Sequence, residues 1–143
     1  MGSGRKVLIV EDNHMNMVLV KEILTLNGYE IVEAESGCEA IKVLDAERPD
    51  IILMDLHLPG MDGITATRII KSEERNKSIP VLALTASAMR GEEAQLIRQG
   101  FDGYVAKPIE IKKLLDAISA SLKEQHRVKA AAEKETNPSS TPG

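Results

Sequence analysis

Five polar residues close or follow short apolar runs. Glu11 and Asp12 come after Val7 to Val10, Asp55 after Ile51 to Met54, Thr85 after Val81 to Leu84, and Lys107 after Tyr104 to Ala106. Clustered carboxylates repel unless a cation sits among them. An all-oxygen site that keeps some waters suits Mg²⁺, with Mn²⁺ the alternative, better than zinc or copper. With that charge neutralised, one carboxylate can attack an electrophilic phosphorus. Cation and lysine would then clamp the phosphoryl oxygens, which is most of what a protein can do for a loose phosphoryl transition state; Lys107 fits the clamp. A hydroxyl near the acceptor can bond the new phosphoryl oxygen and so move the loop that follows it; Thr85 fits that part. Taken singly, each residue has a plainer reading: an acidic pair after a strand is commonly a helix cap, and a lysine before proline a surface charge. Five at successive strand ends outweigh those readings together.

For the five to meet, the apolar runs must be strands of one sheet. They are continuous rather than alternating, as in a parallel sheet covered on both faces. A further strand is expected over Glu30 to Ala34, after the helix stop at Asn27-Gly28. Helical periodicity fills the gaps, so βα recurs five times and predicts a three-layer α/β sandwich. Asn13 is expected to cap a helix to about Leu26, with Leu19, Val20, Ile23 and Leu24 facing inward. Ser36 with Glu39 forms a capping box for a second helix ending near Glu47. A third helix is expected from Gly63 to about Glu73, and a fourth from Ala88 to Gln99, stopped by Gly100. The fifth should follow Pro108 and run to about Lys123. The expected domain covers residues 5–123, and residues 124–143 read as a disordered polar tail. In an open parallel sheet, ligands bind outside the carboxyl ends of the strands, where all five candidates fall.

Composition narrows the function classes. A chain of 143 residues fits one domain. No apolar run approaches the roughly 18 residues of a membrane span, and acids cut the first apolar run too early for a secretory leader, so a cytoplasmic protein without membrane insertion is expected. A net charge of −4 and 2% aromatic residues disfavour direct nucleic-acid binding. The single cysteine, Cys38, excludes an internal disulfide and reads as a small buried or half-buried filler.

The run VLIVEDN, the segment IILMDLHLPGMDG, the stretch VLALTA and the late YVAKPI resemble the receiver domains of bacterial two-component systems, over about Lys6 to Leu122. The resemblance implies a flavodoxin-like, doubly wound five-stranded sheet of order 2-1-3-4-5 with five helices. It implies Asp55 as phosphoacceptor, Asp12 as direct metal ligand, Glu11 holding the metal through water, and the His57 backbone carbonyl completing the protein's share. Thr85 and Tyr104 would be paired switch residues, Lys107 the phosphoryl clamp, and Lys107-Pro108 a cis bond. It also implies a signalling switch rather than an enzyme in the ordinary sense, catalysing only its own phosphorylation and dephosphorylation. The donor would be a histidine kinase or phosphotransfer protein. A downstream protein would read the face made by the fourth helix, fifth strand and fifth helix. His57 and Ser87 border the expected site and are candidates for tuning the lifetime of the acyl phosphate. Met15 and Val18 are either a docking surface near Asp12 or simple core edge. The rival in another class is an aspartyl-phosphate phosphatase acting on a small metabolite. Such enzymes carry a second acid two residues after the nucleophile, where this chain has His57.

Overall fold

The computed structural model describes residues 4–86 and 92–136, with residues 125–136 described by backbone alone. Its strands are β1 (Lys6–Val10), β2 (Glu30–Ala34), β3 (Ile51–Asp55), β4 (Val81–Thr85) and β5 (Gly103–Ala106). The helices are α1 (His14–Leu26), α2 (Gly37–Val43), α3 (Gly63–Ser72), α4 (Glu92–Arg98) and α5 (Ile111–Thr136). The strands form one sheet in the order β2-β1-β3-β4-β5, with every pairing parallel, as the doubly wound expectation requires.

Alternate strand residues point to opposite faces, and each face acquires its own core. Val7, Ile9, Ile51, Leu53, Leu82 and Leu84 pack with Met17, Val20 and Leu24 of α1 and Leu114, Ile118 and Leu122 of α5. Leu8, Val10, Ile52, Met54, Val81 and Ala83 pack with Ala40 and Leu44 beside α2, Ala66 and Ile70 of α3, and Leu96 of α4. Burial on both faces is why β1, β3 and β4 are unbroken apolar runs.

Register carries the polar residues to one rim. Val10 lies opposite Met54, so Glu11 and Asp55, the next residue on each chain, emerge side by side. Asp55 lies opposite Leu84 and Thr85 opposite Ala106, which brings Thr85 and Lys107 to the same edge.

Local signals set most boundaries. Asn13 caps α1 by accepting from the Asn16 amide at 3.0 Å. At the start of α2, Ser36 Oγ accepts from the Glu39 amide at 3.1 Å while Glu39 Oε1 accepts from the Glu35 amide at 2.7 Å. The helix stops at Gly28 and Gly100 have φ of 87° and 107°, a left-handed conformation that glycine adopts without penalty.

Several expectations differ from the structure. Val20, Ile23 and Leu24 of α1 face inward as expected, but Leu19 is exposed and Met17 is buried in its place, because Met17 lies one turn before Val20 on the same helix face while Leu19 falls on its flank. Cys38 is exposed: Gly37 and Ala40 supply the inward positions of α2. Helix α2 closes at Val43, and single turns carry the chain on to Glu47. Pro108 lies in the connection before α5, which begins at Ile111, and the Lys107-Pro108 bond is cis. At its other end α5 continues to Thr136, well past Lys123. Residues 123–136 are rich in Ala, Lys, Glu, Gln and Arg and contain no Gly or Pro, a composition that favours continuing a helix. The expected tail is thus helical as far as Thr136, and residues 137–143 lie outside the described residues, as do Ser87 and the expected start of the fourth helix. No described helix is long and apolar enough to cross a membrane.

Candidate functional site

Glu11, Asp12 and Asp55 each offer a carboxylate oxygen, and the three atoms lie within 4.8 Å of one another. Glu11 and Asp55 are buried at the ends of β1 and β3, while Asp12 is exposed at the mouth. Lys107 Nζ stands 3.2 Å from Glu11 Oε1 and 3.2 Å from Asp55 Oδ2. Its position is fixed from the backbone, since the Lys107 amide donates to the Thr85 carbonyl at 2.8 Å. The second Asp55 oxygen, Oδ1, accepts from the His57 amide at 3.1 Å, and Glu11 Oε2 from the Asn13 amide at 3.2 Å. Each of the two buried carboxylates is therefore oriented by the loop that follows its own strand.

The charge balance of this pocket is incomplete. Glu11 Oε1 is buried and accepts no hydrogen bond, although the Lys107 ammonium is within ion-pair distance. Burial, and then the neighbouring Asp55 carboxyl, push the Glu11 pKa up to about 7, against the opposing pull of the Asn13 amide and Lys107. A buried oxygen without a donor, in an all-oxygen cluster at one sheet edge, fits a hard divalent cation such as Mg²⁺. Lysine supplies one charge where three carboxylates would carry three.

The remaining expected residues sit at different distances from this cluster. Thr85 is buried at the end of β4. His57 is exposed and lines a cavity of about 200 Å³ with Thr85, Leu56, Glu92 and Gln95. Tyr104 does not join the carboxylates: its hydroxyl donates to Glu93 Oε2 of α4 at 2.6 Å, and that bond raises its pKa. Glu93 was not legible as a site residue, because only the packing of α4 on β5 brings it to the tyrosine. Gly63, expected only as a helix start, abuts the Asp55 carbonyl, a contact that depends on how α3 returns to the strand end. On α1, Met15 and Val18 are exposed rather than core edge, and a groove of about 270 Å³ opens nearby among Leu19, Ile23, Leu26 and Ile111.

Residues 7–119 match the response regulator receiver domain family. The chain belongs to that family. Among curated relatives, the polar-differentiation response regulator DivK of Brucella ovis is 38% identical over 118 residues, covering 82% of this chain and 96% of that protein. DivK of Brucella anthropi is 37% identical over 118 residues, with the same coverage. Among solved structures, a putative response regulator from Chloroflexus aurantiacus matches with a TM-score of 0.80 at 30% identity, covering 84% of this receiver and 98% of that chain. The receiver domain of a sensor histidine kinase from Pseudomonas aeruginosa matches with a TM-score of 0.77 at 33% identity, covering 84% and 98%. That structure is described as having a magnesium ion coordinated in its active-site cleft.

Proposed function

We propose that this receiver is a phosphorylation-dependent switch in which Asp55 accepts a phosphoryl group from a phosphohistidine protein. The observation that carries the reading is the single ammonium of Lys107 at 3.2 Å from both Asp55 and Glu11, beside three convergent carboxylates. An Asp55 oxygen attacks the phosphorus as the phosphorus–nitrogen bond of the donor histidine breaks. The imidazole nitrogen keeps the bonding pair and takes a proton from solvent, and an acyl phosphate remains on Asp55. Hydrolysis by water at phosphorus returns the carboxylate and releases inorganic phosphate.

Asp12 and Asp55 would hold the Mg²⁺ directly, Glu11 through water, and the His57 carbonyl would complete the set; Mn²⁺ suits the same oxygens. When bound, the cation supplies charge neutralisation for the phosphoryl oxygens. Lys107 shares that task, since it already faces the acceptor oxygen. Thr85 donates its hydroxyl to the new phosphoryl oxygen and draws the end of β4 inward, and Tyr104 then leaves Glu93 to follow it. The face of α4, β5 and α5 changes with it and is read by a downstream protein. The donor docks over the exposed apolar side chains of α1, Met15 and Val18, close to Asp12 at the pocket mouth. We place the protein in the cytoplasm, where such donors act.

Phosphotransfer from a panel of autophosphorylated histidine kinases and phosphotransfer proteins tests the reading. One or more should label wild type, and none should label Asp55→Asn. Repeated turnover of a small phosphorylated metabolite, without stable transfer from any protein donor, would favour a phosphatase instead.

A further inference from the structure

The loop joining β3 to α3 leaves Asp55 and closes on it again. Gly63, the first residue of α3, donates its amide to the Leu56 carbonyl at 3.2 Å. A Cβ built on Gly63 would lie 2.1 Å from the Asp55 carbonyl oxygen and 3.0 Å from the Leu56 Cα. No side chain, even a methyl group, fits between the helix and the strand end. The contact is with backbone on both sides, so no rotamer change can relieve it.

Making room would require a retreat of about 0.9 Å, from 2.1 Å to the 3.0 Å limit of real contacts. Helix α3 is poorly placed to supply it. Ala66 and Ile70 are fully packed in the core, and the Gly63 amide holds the helix start to the loop through the Leu56 carbonyl at 3.2 Å. The displacement therefore falls on residues 55–57, whose Asp55 Oδ1 and His57 amide are joined at 3.1 Å. Metal ligation tolerates little such movement, because orientation of the ligands by the surrounding shell sets the affinity.

From this we infer that Gly63 is a positioning residue: its missing side chain lets α3 press the Asp55 strand end into the geometry that holds the divalent cation. The inference rests on the reading of the site as a cation-dependent phosphoacceptor. Gly60 provides an internal control. It lies in the same loop at a φ of 74°, and a Cβ there meets nothing within 4 Å, so Gly60→Ala strains the backbone without touching Asp55.

Calorimetric titration with Mg²⁺, on full-length variants whose folding is checked by circular dichroism, tests the assignment. Gly63→Ala should bind Mg²⁺ roughly ten- to hundredfold more weakly than wild type, the usual scale for disturbed ligand support. Gly60→Ala should lose stability but keep its affinity within about twofold, since a Cβ there meets nothing. Equal affinities for wild type and Gly63→Ala, or equal losses in both variants, would overturn the inference. Should Gly63→Ala not fold, a Mg²⁺ titration of wild type followed by amide NMR decides. The Gly63 resonance should move together with those of Asp55 and His57 while Gly60 stays still; an unmoved Gly63 overturns the inference. A wild type that binds no Mg²⁺ at all would remove the site reading beneath it and this inference with it.

Discussion

Burying Glu11, and setting it beside the Asp55 carboxyl, costs stability at this site. The ordinary Glu11 pKa of 4.5 rises to about 7, so the folded state binds the proton more tightly than the unfolded chain. The stabilising contribution of that proton is complete below about pH 4.5 and is lost as pH rises through 7. The size is on the order of 3 kcal/mol for a shift of this extent, as an upper bound because Asp55 and Lys107 share the coupling. Without divalent cations, Glu11→Gln should therefore gain stability over wild type as pH rises from 5 to 8, measured by denaturant melts. Mg²⁺ should stabilise wild type at pH 8 by mass action and stabilise Glu11→Gln less. A difference that ignores pH would contradict the assigned cause. Lys107→Met leaves two buried acids without their counter-charge and removes the proposed clamp. Its transfer rate should drop about 10²- to 10³-fold, on the scale of losing one oriented transition-state partner. These residues were legible in the sequence because each ends a continuous apolar run, and such a run marks both a buried strand and the place where the chain leaves it.

Elements differ in how far they could be foreseen. Caps made by neighbours in sequence, such as Asn13 with Asn16 and Ser36 with Glu39, appeared where expected. Two details of packing between elements did not. The burial of Met17 instead of Leu19 depends on how α1 lies on the sheet, and the bond from Tyr104 to Glu93 depends on how α4 lies against β5. That bond bears on the proposed switch. If Tyr104 must leave Glu93 when Thr85 moves, removing the carboxylate favours the moved state. Glu93→Ala and Tyr104→Phe should each tighten Mg²⁺-dependent binding of a beryllofluoride phosphoryl mimic about threefold to tenfold, given roughly 1 kcal/mol for a partly solvated hydrogen bond. The double variant should gain no more than either single one, as expected for two partners of one interaction. Additive gains, or none, would show that the bond plays no part in switching.

At the scale of the whole molecule, the parallel order β2-β1-β3-β4-β5 was expected from the resemblance, and the register Val10 to Met54 explains why it places Glu11 beside Asp55. The long α5 was not foreseen, because its polar, alanine-rich end lacks the apolar spacing that marks a packed helix, while its propensity alone suffices to continue one. Leu122 is the last buried side chain among the described residues, so truncation after Glu124 should leave the thermal midpoint within a few degrees of the full chain's, a shift of under about 0.5 kcal/mol. A collapse of the midpoint would mean that the helix end packs on the body. The central claim is that a cation makes this acidic rim accept phosphate at one residue. Intact-mass measurement after incubation with a small acyl phosphate tests it most directly, with and without Mg²⁺, in wild type and Asp55→Asn. One phosphoryl group should appear on wild type with Mg²⁺, and none when the metal is chelated or the carboxylate replaced. Equal labelling of Asp55→Asn, or labelling of wild type indifferent to the metal, would contradict the account.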